Sequence, residues 1–196
     1  EKGVPNAMNA AWGAQSDYGE ITLFLAKHKT TDNIKHTKAF TVAFATKDTV
    51  EIADYFGVET GNKVNKIEKA GCHVHKSRHV NAPIIEEFPV TLECECTSYD
   101  DKTGILVGKI VAQRADESVL TDGKIDYDKL QPIIFDIATM TYRLIGPVVG
   151  QVDPVARHSG SSPRGRASGV RCTRSPTGAA SASGAGGGDT GSSVRM

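Results

Sequence analysis

The sequence is poor in aromatic side chains and has no long hydrophobic run. Only 6% of its 196 residues are aromatic, and Trp12 is the single tryptophan. No stretch of eighteen apolar residues occurs, which argues against a membrane-spanning helix. The opening residues also lack the apolar stretch of a secretory leader. Hydrophobic content of 39% and charged content of 23% are typical of a globular domain, so we expect one domain that does not enter a membrane.

Cysteine is scarce, and basic charge is unevenly spread. Four cysteines predict a reducing compartment, with the cytoplasm as the default, and Cys94 and Cys96 are predicted to fill the core. The net charge of zero combines −4 in residues 1–150 (17 basic, 21 acidic) with +4 in residues 151–196 (6 basic, 2 acidic). Since the larger segment is not basic, we do not expect nucleic-acid binding.

The two segments also differ in residue types. Residues 151–196 contain nine Gly and nine Ser but no Lys, Ile, Leu, Phe, Trp or Tyr. Such a composition cannot bury enough apolar surface to offset chain entropy, so we predict a disordered tail. The abrupt change favours a non-native extension over a native basic arm for an acidic partner. The predicted folded domain is therefore residues 1–150.

Short apolar stretches predict a mainly β fold. Residues 21–27 and 40–46 are predicted as buried strands, and residues 88–99 and 105–115 as a long antiparallel pair. In the first of that pair, apolar residues alternate with Thr and Glu, which predicts one buried and one polar face. A further strand is predicted over residues 139–145.

Three short helices are predicted between these strands. Thr31-Asp32-Asn33 can cap a helix that runs to about Lys38. Asp48 can cap a second helix, which Gly57 would end. Residues 62–69 can form a third helical turn. Because the pattern has no alternating βαβ units, it predicts a β-barrel with helical insertions.

Several kinds of functional motif are missing from residues 1–150. That segment has no dinucleotide-binding glycine fingerprint, no phosphate-binding Gly-x-x-x-x-Gly-Lys loop and no Gly-x-Ser-x-Gly elbow. A group of one cysteine and three histidines lies close in sequence, but it lacks the two spaced pairs typical of zinc, so we expect no metal there. The group consists of Cys72, His73, His75 and His79.

The most informative stretch is Pro5–Gly13, where amides alternate with small residues. Small residues let a backbone lie close to a flat ligand, while Asn6 and Asn9 offer hydrogen-bond donors and acceptors. Trp12 adds a large rigid face. Taken alone, the same residues fit an edge strand with polar side chains in water at least as well.

This stretch resembles the Asn-x-Met-(Thr/Ser)-Ala-x-Trp signature of the flavin reductase-like family, which includes flavoredoxin. Asn9 departs from it, because the family more often has Thr or Ser there. Further similar segments follow in the family's order, namely Lys29-Thr30-Thr31, Phe40-Thr41-Val42, Asp54-Tyr55-Phe56-Gly57, Gly61–Lys66, Ala82–Glu87 and Leu92-Glu93-Cys94. The resemblance therefore covers about residues 1–150.

The resemblance implies an FMN-binding split β-barrel that forms a homodimer, with FMN near the subunit interface. Asn6, Asn9 and Trp12 would then line the isoalloxazine and ribityl region. The family's first strand would precede Glu1, so we expect that strand to be missing and the chain to begin inside a longer protein.

The resemblance also implies where the FMN phosphate would bind. Lys29 with Thr30 or Thr31 would hold it by charge-assisted hydrogen bonds, aided by the amino end of the following helix. Lys66 would be a further contact with the flavin or the phosphate. By residue type alone, the two lysines could equally be solvated surface side chains.

The activity implied by the resemblance is an NAD(P)H-dependent flavin oxidoreductase. The flavin would carry out the redox chemistry, so no side chain is expected to act as a general acid or base. One alternative is a flavoredoxin-type electron carrier, which exchanges electrons with a redox-protein partner. Another is a flavin-free barrel used for interaction.

Overall fold

The structure, a computed structural model, describes residues 4–151 and the backbone of residues 172–175. The strands are β1 Gly13–Asp17, β2 Glu20–Phe24, β3 Ala39–Ala43, β4 Val74–Lys76, β5 Pro83–Ile85, β6 Val90–Tyr99, β7 Ile105–Asp116, β8 Leu120–Thr121, β9 Lys124–Ile125, β10 Ile133–Asp136, β11 Thr141–Leu144 and β12 Cys172–Ser175. The helices are α1 Lys29–Thr37, α2 Val50–Val58, α3 Lys66–Lys69 and α4 Tyr127–Leu130. The prediction of a mainly β fold is confirmed.

The main sheet runs in the order β1-β2-β7-β6-β3, and all neighbours on this path are antiparallel. Strands β6 and β7 form its centre, and they are the antiparallel pair that the sequence predicted. Their register shifts twice, between Glu93 and Cys94 and between Cys96 and Ser98. Such irregularities increase the local twist, which lets a sheet curve towards closure.

One further strand lies in the segment predicted to be a disordered tail. The backbone of Cys172–Ser175 pairs in parallel with Gln113–Asp116 at the end of β7. The other tail residues from 152 onward lie outside the described residues.

Strand β6 is buried on both faces over its first half, which the predicted alternation did not anticipate. Leu92 and Cys94 pack in a core cluster with β2 and β3. On the opposite face, Thr91 and Glu93 are also buried. The reason is the hairpin β4–β5 and the loop between its strands, where Ser77 and His79 bond the Glu93 carboxylate. The predicted polar face is therefore buried, and not exposed, at Thr91 and Glu93.

The first two helices begin at other residues than predicted. Helix α1 starts at Lys29, because the Thr31 hydroxyl turns back to accept from the His28 N–H at 2.9 Å. His28, and not Thr31-Asp32-Asn33, is therefore the N-cap residue. Helix α2 starts after a 3₁₀ turn at Lys47–Thr49 and ends at Val58, so Asp48 is not its cap.

A second core cluster joins α2 to the β4–β5 hairpin and the opening segment. It contains Ala7, Ala53, Phe56, Ile67, Ile84, Ile85 and Phe88. Burial of apolar surface contributes roughly 25 cal/mol per Å² to the free energy of folding, so this cluster stabilises the packing of α2, the hairpin and the opening segment. It fixes the opening segment against the carboxyl end of α2. Among the helices of the described residues, none is both long and apolar enough to cross a bilayer.

Candidate functional site

Asn6 and Thr30 meet where the opening segment crosses the start of α1. The Asn6 Nδ2 donates to the Thr30 Oγ1 at 2.7 Å. Asn6 also lies directly against Gly61, because a Cβ atom built on that glycine would overlap the Asn6 side-chain oxygen. A side chain at residue 61 would therefore push Asn6 away from Thr30.

Lys29 approaches the same place from the first position of α1. Its Nζ donates to the Gly61 carbonyl oxygen at 2.8 Å, and the side chain is half-buried. The amino end of a helix carries partial positive charge and unpaired N–H groups. The lysine and the helix end thus form a local positive region next to the Thr30 hydroxyl.

Thr30 and Thr31 differ in the hydrogen-bonding capacity they keep. The Thr31 hydroxyl is buried and donates its one hydrogen to the His28 carbonyl at 2.7 Å. The Thr30 hydroxyl accepts from Asn6, and its own hydrogen has no acceptor within the described residues. Of the two, Thr30 is the one able to donate to an anion.

Lys66 is the first residue of α3, and its side chain reaches the carboxyl end of α2. Its side chain is only 3% exposed, and its Nζ donates to the Phe56 carbonyl oxygen at 2.7 Å. Burial lowers the pKa of Lys66 to about 8. Burial and the nearby Lys66 charge also lower the pKa of His28. Lys66 therefore donates a hydrogen bond to a carbonyl oxygen at the end of α2 from within the core. Neither a solvated surface lysine nor a contact with the flavin or the phosphate would have this role.

The two lysines together hold residues 57–61, which are the last two residues of α2 and the turn after it and which we call the glycine loop. Lys66 bonds the carbonyl just before the loop, and Lys29 bonds the carbonyl of its last residue. Gly57 faces Asn9, since a Cβ on Gly57 would lie 3.2 Å from the Asn9 Cβ. The loop is therefore a surface on which Asn6 and Asn9 both rest.

Asn9 has two partners that sequence analysis did not select as site residues. Its Nδ2 donates to the Tyr142 hydroxyl at 3.1 Å, and that hydroxyl donates to the Asp54 Oδ1 at 2.8 Å. Burial, with Asp54 alongside, raises the pKa of Tyr142 to about 12. Tyr142 lies 133 residues from Asn9, so no local pattern could have joined them.

Trp12 is held beside β2 through its main chain, where its carbonyl oxygen accepts from the Phe24 N–H at 3.1 Å. Its side chain is 49% exposed. A flat apolar face of this size is open to a ligand or to another protein surface.

A cavity of about 970 Å³ opens beside the Asn6–Thr30 pair. Its walls come from the opening segment, α1, β3 and the β4–β5 hairpin, and they include Asn6, Thr30, Ile34, Phe40, Val74 and Pro83. This volume falls in the range of small-molecule sites. Of the seven predicted site residues, two line the cavity.

The histidines of the β4–β5 hairpin are each bonded to a glutamate. His73 contacts Glu87 at 2.9 Å, and His75 contacts Glu86 at 2.9 Å. Burial first, then Glu87, raises the pKa of the neighbouring Cys72 to about 11, which keeps the thiol protonated. No group of three or more possible metal ligands is found in the described part of the chain.

Comparison with known proteins identifies relatives of this chain. The family model described as flavin reductase like domain matches residues 4–131. Flavoredoxin of Desulfovibrio vulgaris (Miyazaki F) has a similar structure, with 29% identity, a TM-score of 0.73, and coverage of 78% of this chain and 85% of that one. Flavoredoxin from Methanosarcina acetivorans is similar at 26% identity and a TM-score of 0.70, over 78% and 84%. The predicted split-barrel fold is confirmed.

A curated relative is also found in Aquifex aeolicus (strain VF5), where it is described only as an uncharacterized protein. It is 29% identical over 107 residues, which cover 53% of this chain and 55% of the relative. The chain thus spans about half the length of the curated relative that it matches.

Proposed function

Because the chain belongs to the flavin reductase-like domain family, we propose that it binds FMN and uses the bound flavin for hydride or electron transfer. The observation that carries this proposal is the meeting of Asn6, Lys29 and Thr30 at the amino end of α1. These are residues that the resemblance assigns to flavin binding, and they come from two separate segments of the chain.

The residues at this place fit a phosphate group. The Lys29 ammonium supplies charge, Thr30 keeps a hydroxyl hydrogen to donate, and the helix end adds N–H groups. Thr31 does not fit this role, since its hydrogen already goes to His28. We therefore assign the phosphate to Lys29 and Thr30, and Lys66 to holding the glycine loop.

Asn9 and Trp12 would hold the isoalloxazine ring. The bound flavin would supply the redox chemistry by accepting and releasing hydride or electrons, while the protein orients the ring and excludes competing reactions. The exposed Trp12 face offers apolar contact, and Asn9 offers polar contact from a fixed position on Gly57.

The first test is FMN binding by the purified protein. We expect titration with the protein to quench FMN fluorescence, and the complex to stay yellow through dialysis. A protein that stays colourless and leaves FMN fluorescence unchanged would sink the proposal.

The electron donor distinguishes two versions of this function. The first is an NAD(P)H-dependent flavin oxidoreductase, for which we expect anaerobic mixing with NADH or NADPH to bleach the bound flavin rapidly. The second is an electron carrier reduced by a redox-protein partner, which the similarity to two flavoredoxins favours. Slow reduction by both nucleotides, together with rapid reduction by a low-potential redox protein, would select the carrier.

We also propose that the protein is a homodimer. Five large apolar side chains on β10, β11 and the residues that connect or follow them are 48–72% exposed, namely Ile134, Ile137, Met140, Leu144 and Ile145. Ile133 pairs with Leu144 and Ile134 pairs with Arg143, so Ile134 and Leu144 lie on opposite faces of the β10–β11 hairpin. Exposed apolar side chains of this size are typical of interaction surfaces. Light scattering should give twice the chain mass, and Ile134→Lys should shift the protein towards monomer. A wild-type monomer at micromolar concentration would contradict the dimer.

A further inference from the structure

Asn9, Tyr142 and Asp54 form a hydrogen-bonded chain, which we call the relay. Its members come from the opening segment, from β11 and from α2. The Tyr142 ring also packs against Phe135, with ring centroids 5.6 Å apart, so neighbouring strands hold its position. The relay thus links α2 and β11 to the opening segment and ends at the Asn9 side chain.

The chemistry of these groups gives the relay one direction. An ionised Asp54 carboxylate can only accept, so the Tyr142 hydroxyl must donate its single hydrogen to it. The phenol oxygen can then only accept from Asn9, which requires the amide NH₂ and not the amide oxygen on that side. Because the raised pKa of Tyr142, about 12, keeps the phenol protonated, this direction holds at neutral and moderately alkaline pH.

This direction decides which atom Asn9 presents on its other side. With the NH₂ facing Tyr142, the amide oxygen points the opposite way. That oxygen makes no hydrogen bond within the described residues, and it is not among their buried unpaired atoms. It is therefore not fully buried, and it keeps its capacity to accept a hydrogen bond.

We infer that Tyr142 is a positioning residue that, with Asp54, fixes the Asn9 amide so that its oxygen accepts a hydrogen bond from a ring N–H of the flavin. This rests on the proposed function. In oxidised flavin the isoalloxazine ring has one N–H, at N3, whereas its other polar edge atoms are acceptors. A fixed acceptor thus selects the N3 edge, while a freely turning amide would satisfy either kind of edge.

The inference is tested by comparing FMN with 3-methyl-FMN, which lacks the N3 hydrogen. For the wild type we expect 3-methyl-FMN to bind at least about fivefold more weakly than FMN, as loss of one hydrogen bond implies. In Asp54→Asn the amide can donate to Tyr142, which removes the direction without changing the shape. There, and in Tyr142→Phe, the ratio of the two dissociation constants should fall to less than half the wild-type ratio.

Tyr127→Phe is the matched control, since this tyrosine is exposed on α4 and lies outside the relay. It should keep the wild-type ratio. Melting temperatures identify any variant that fails to fold, and Asp54→Asn, at an exposed residue, tests the direction independently of Tyr142 packing. The same ratio in wild type and Asp54→Asn, with both flavins bound, would overturn the inference while leaving the proposed function intact. A wild type that binds neither flavin would overturn both.

Discussion

Two regions of this protein are rich in polar and ionisable side chains, and they use them differently. In the β4–β5 hairpin, His73 and His75 are each bonded to a glutamate within the same hairpin region. At the start of α1, by contrast, the described residues supply no acceptor for the Thr30 hydroxyl hydrogen and only a backbone oxygen as partner for Lys29. The two regions therefore differ in unused hydrogen-bonding capacity, which is the property on which the proposed FMN site depends.

Among the variants that test this comparison, Gly61→Ala should have the largest effect on FMN affinity. The new methyl group would overlap Asn6 and displace it from Thr30. We expect FMN affinity to fall at least about thirtyfold, with a loss of about 1–3 kcal/mol in the free energy of unfolding from overpacking. Fluorescence titration and urea unfolding measure the two effects.

Two controls accompany that variant. Gly19→Ala introduces a methyl group with no neighbouring atom within 4 Å, so its FMN affinity should stay within about twofold of the wild type. Glu87→Gln changes the partner of His73, which is not among the residues that line the cavity, and it should also leave FMN binding unchanged. Strong loss of FMN affinity in Glu87→Gln would show that the glutamate-bonded histidines also contribute to binding, and it would remove the contrast between the regions.

A smaller and more selective effect is expected from Lys29→Ala. Loss of one charge-assisted hydrogen bond should weaken FMN binding about tenfold. Riboflavin, which has no phosphate, should lose less than about twofold by the same reasoning. Parallel titrations with the two ligands measure this difference. Equal losses for both would show that Lys29 acts only through the Gly61 carbonyl and the loop.

Lys66→Met tests the burial of Lys66 through the pH dependence of the melting temperature. The ordinary pKa of lysine is 10.5, and in the folded protein Lys66 has a pKa of about 8. Between these values the unfolded chain binds more protons, so Lys66 makes the wild type more stable as pH rises and less stable as it falls towards 8. The melting temperature of the wild type should rise by about 2–4 °C relative to Lys66→Met from pH 8 to pH 10. A constant difference across this range would contradict the buried position of the amine.

The smallest effect on binding is expected from deleting residues 151–196. The FMN dissociation constant should stay within about twofold of the wild type, since residues 4–131 match the family. Loss of β12 from the edge of β7 would show in thermal stability and not in affinity. A large drop in affinity would mean that the tail contributes to the site.

The sequence predicted the strands better than the site. The pair 88–99 and 105–115 appears as β6 and β7 with ends shifted by at most two residues, because long apolar alternation is a strong local signal. The start of α1 was missed because the Thr31 hydroxyl bonds backwards to His28, which composition does not reveal. The burial of Glu93 on the predicted polar face was not anticipated, because nothing local shows that a distant hairpin covers it.

The candidate site was also predicted only in part. Asn6, Lys29 and Thr30 lie in segments that resemble the family's motifs in the same order, and the structure brings these residues together. Lys66 carries the right charge, but its burial depends on how α3 packs against α2. Tyr142 could not be found, because its contact with Asn9 depends on the completed fold.

The wide sequence separation of the Asn9–Tyr142 contact also has a kinetic consequence. Closing a contact between residues so far apart costs loop-closure entropy, and such contacts are slow to form during folding. The opening segment can therefore reach its final arrangement only once the last hairpin of the barrel has docked. Capture of FMN during refolding should then lag behind the recovery of secondary structure, and bound flavin would mark the completed native state.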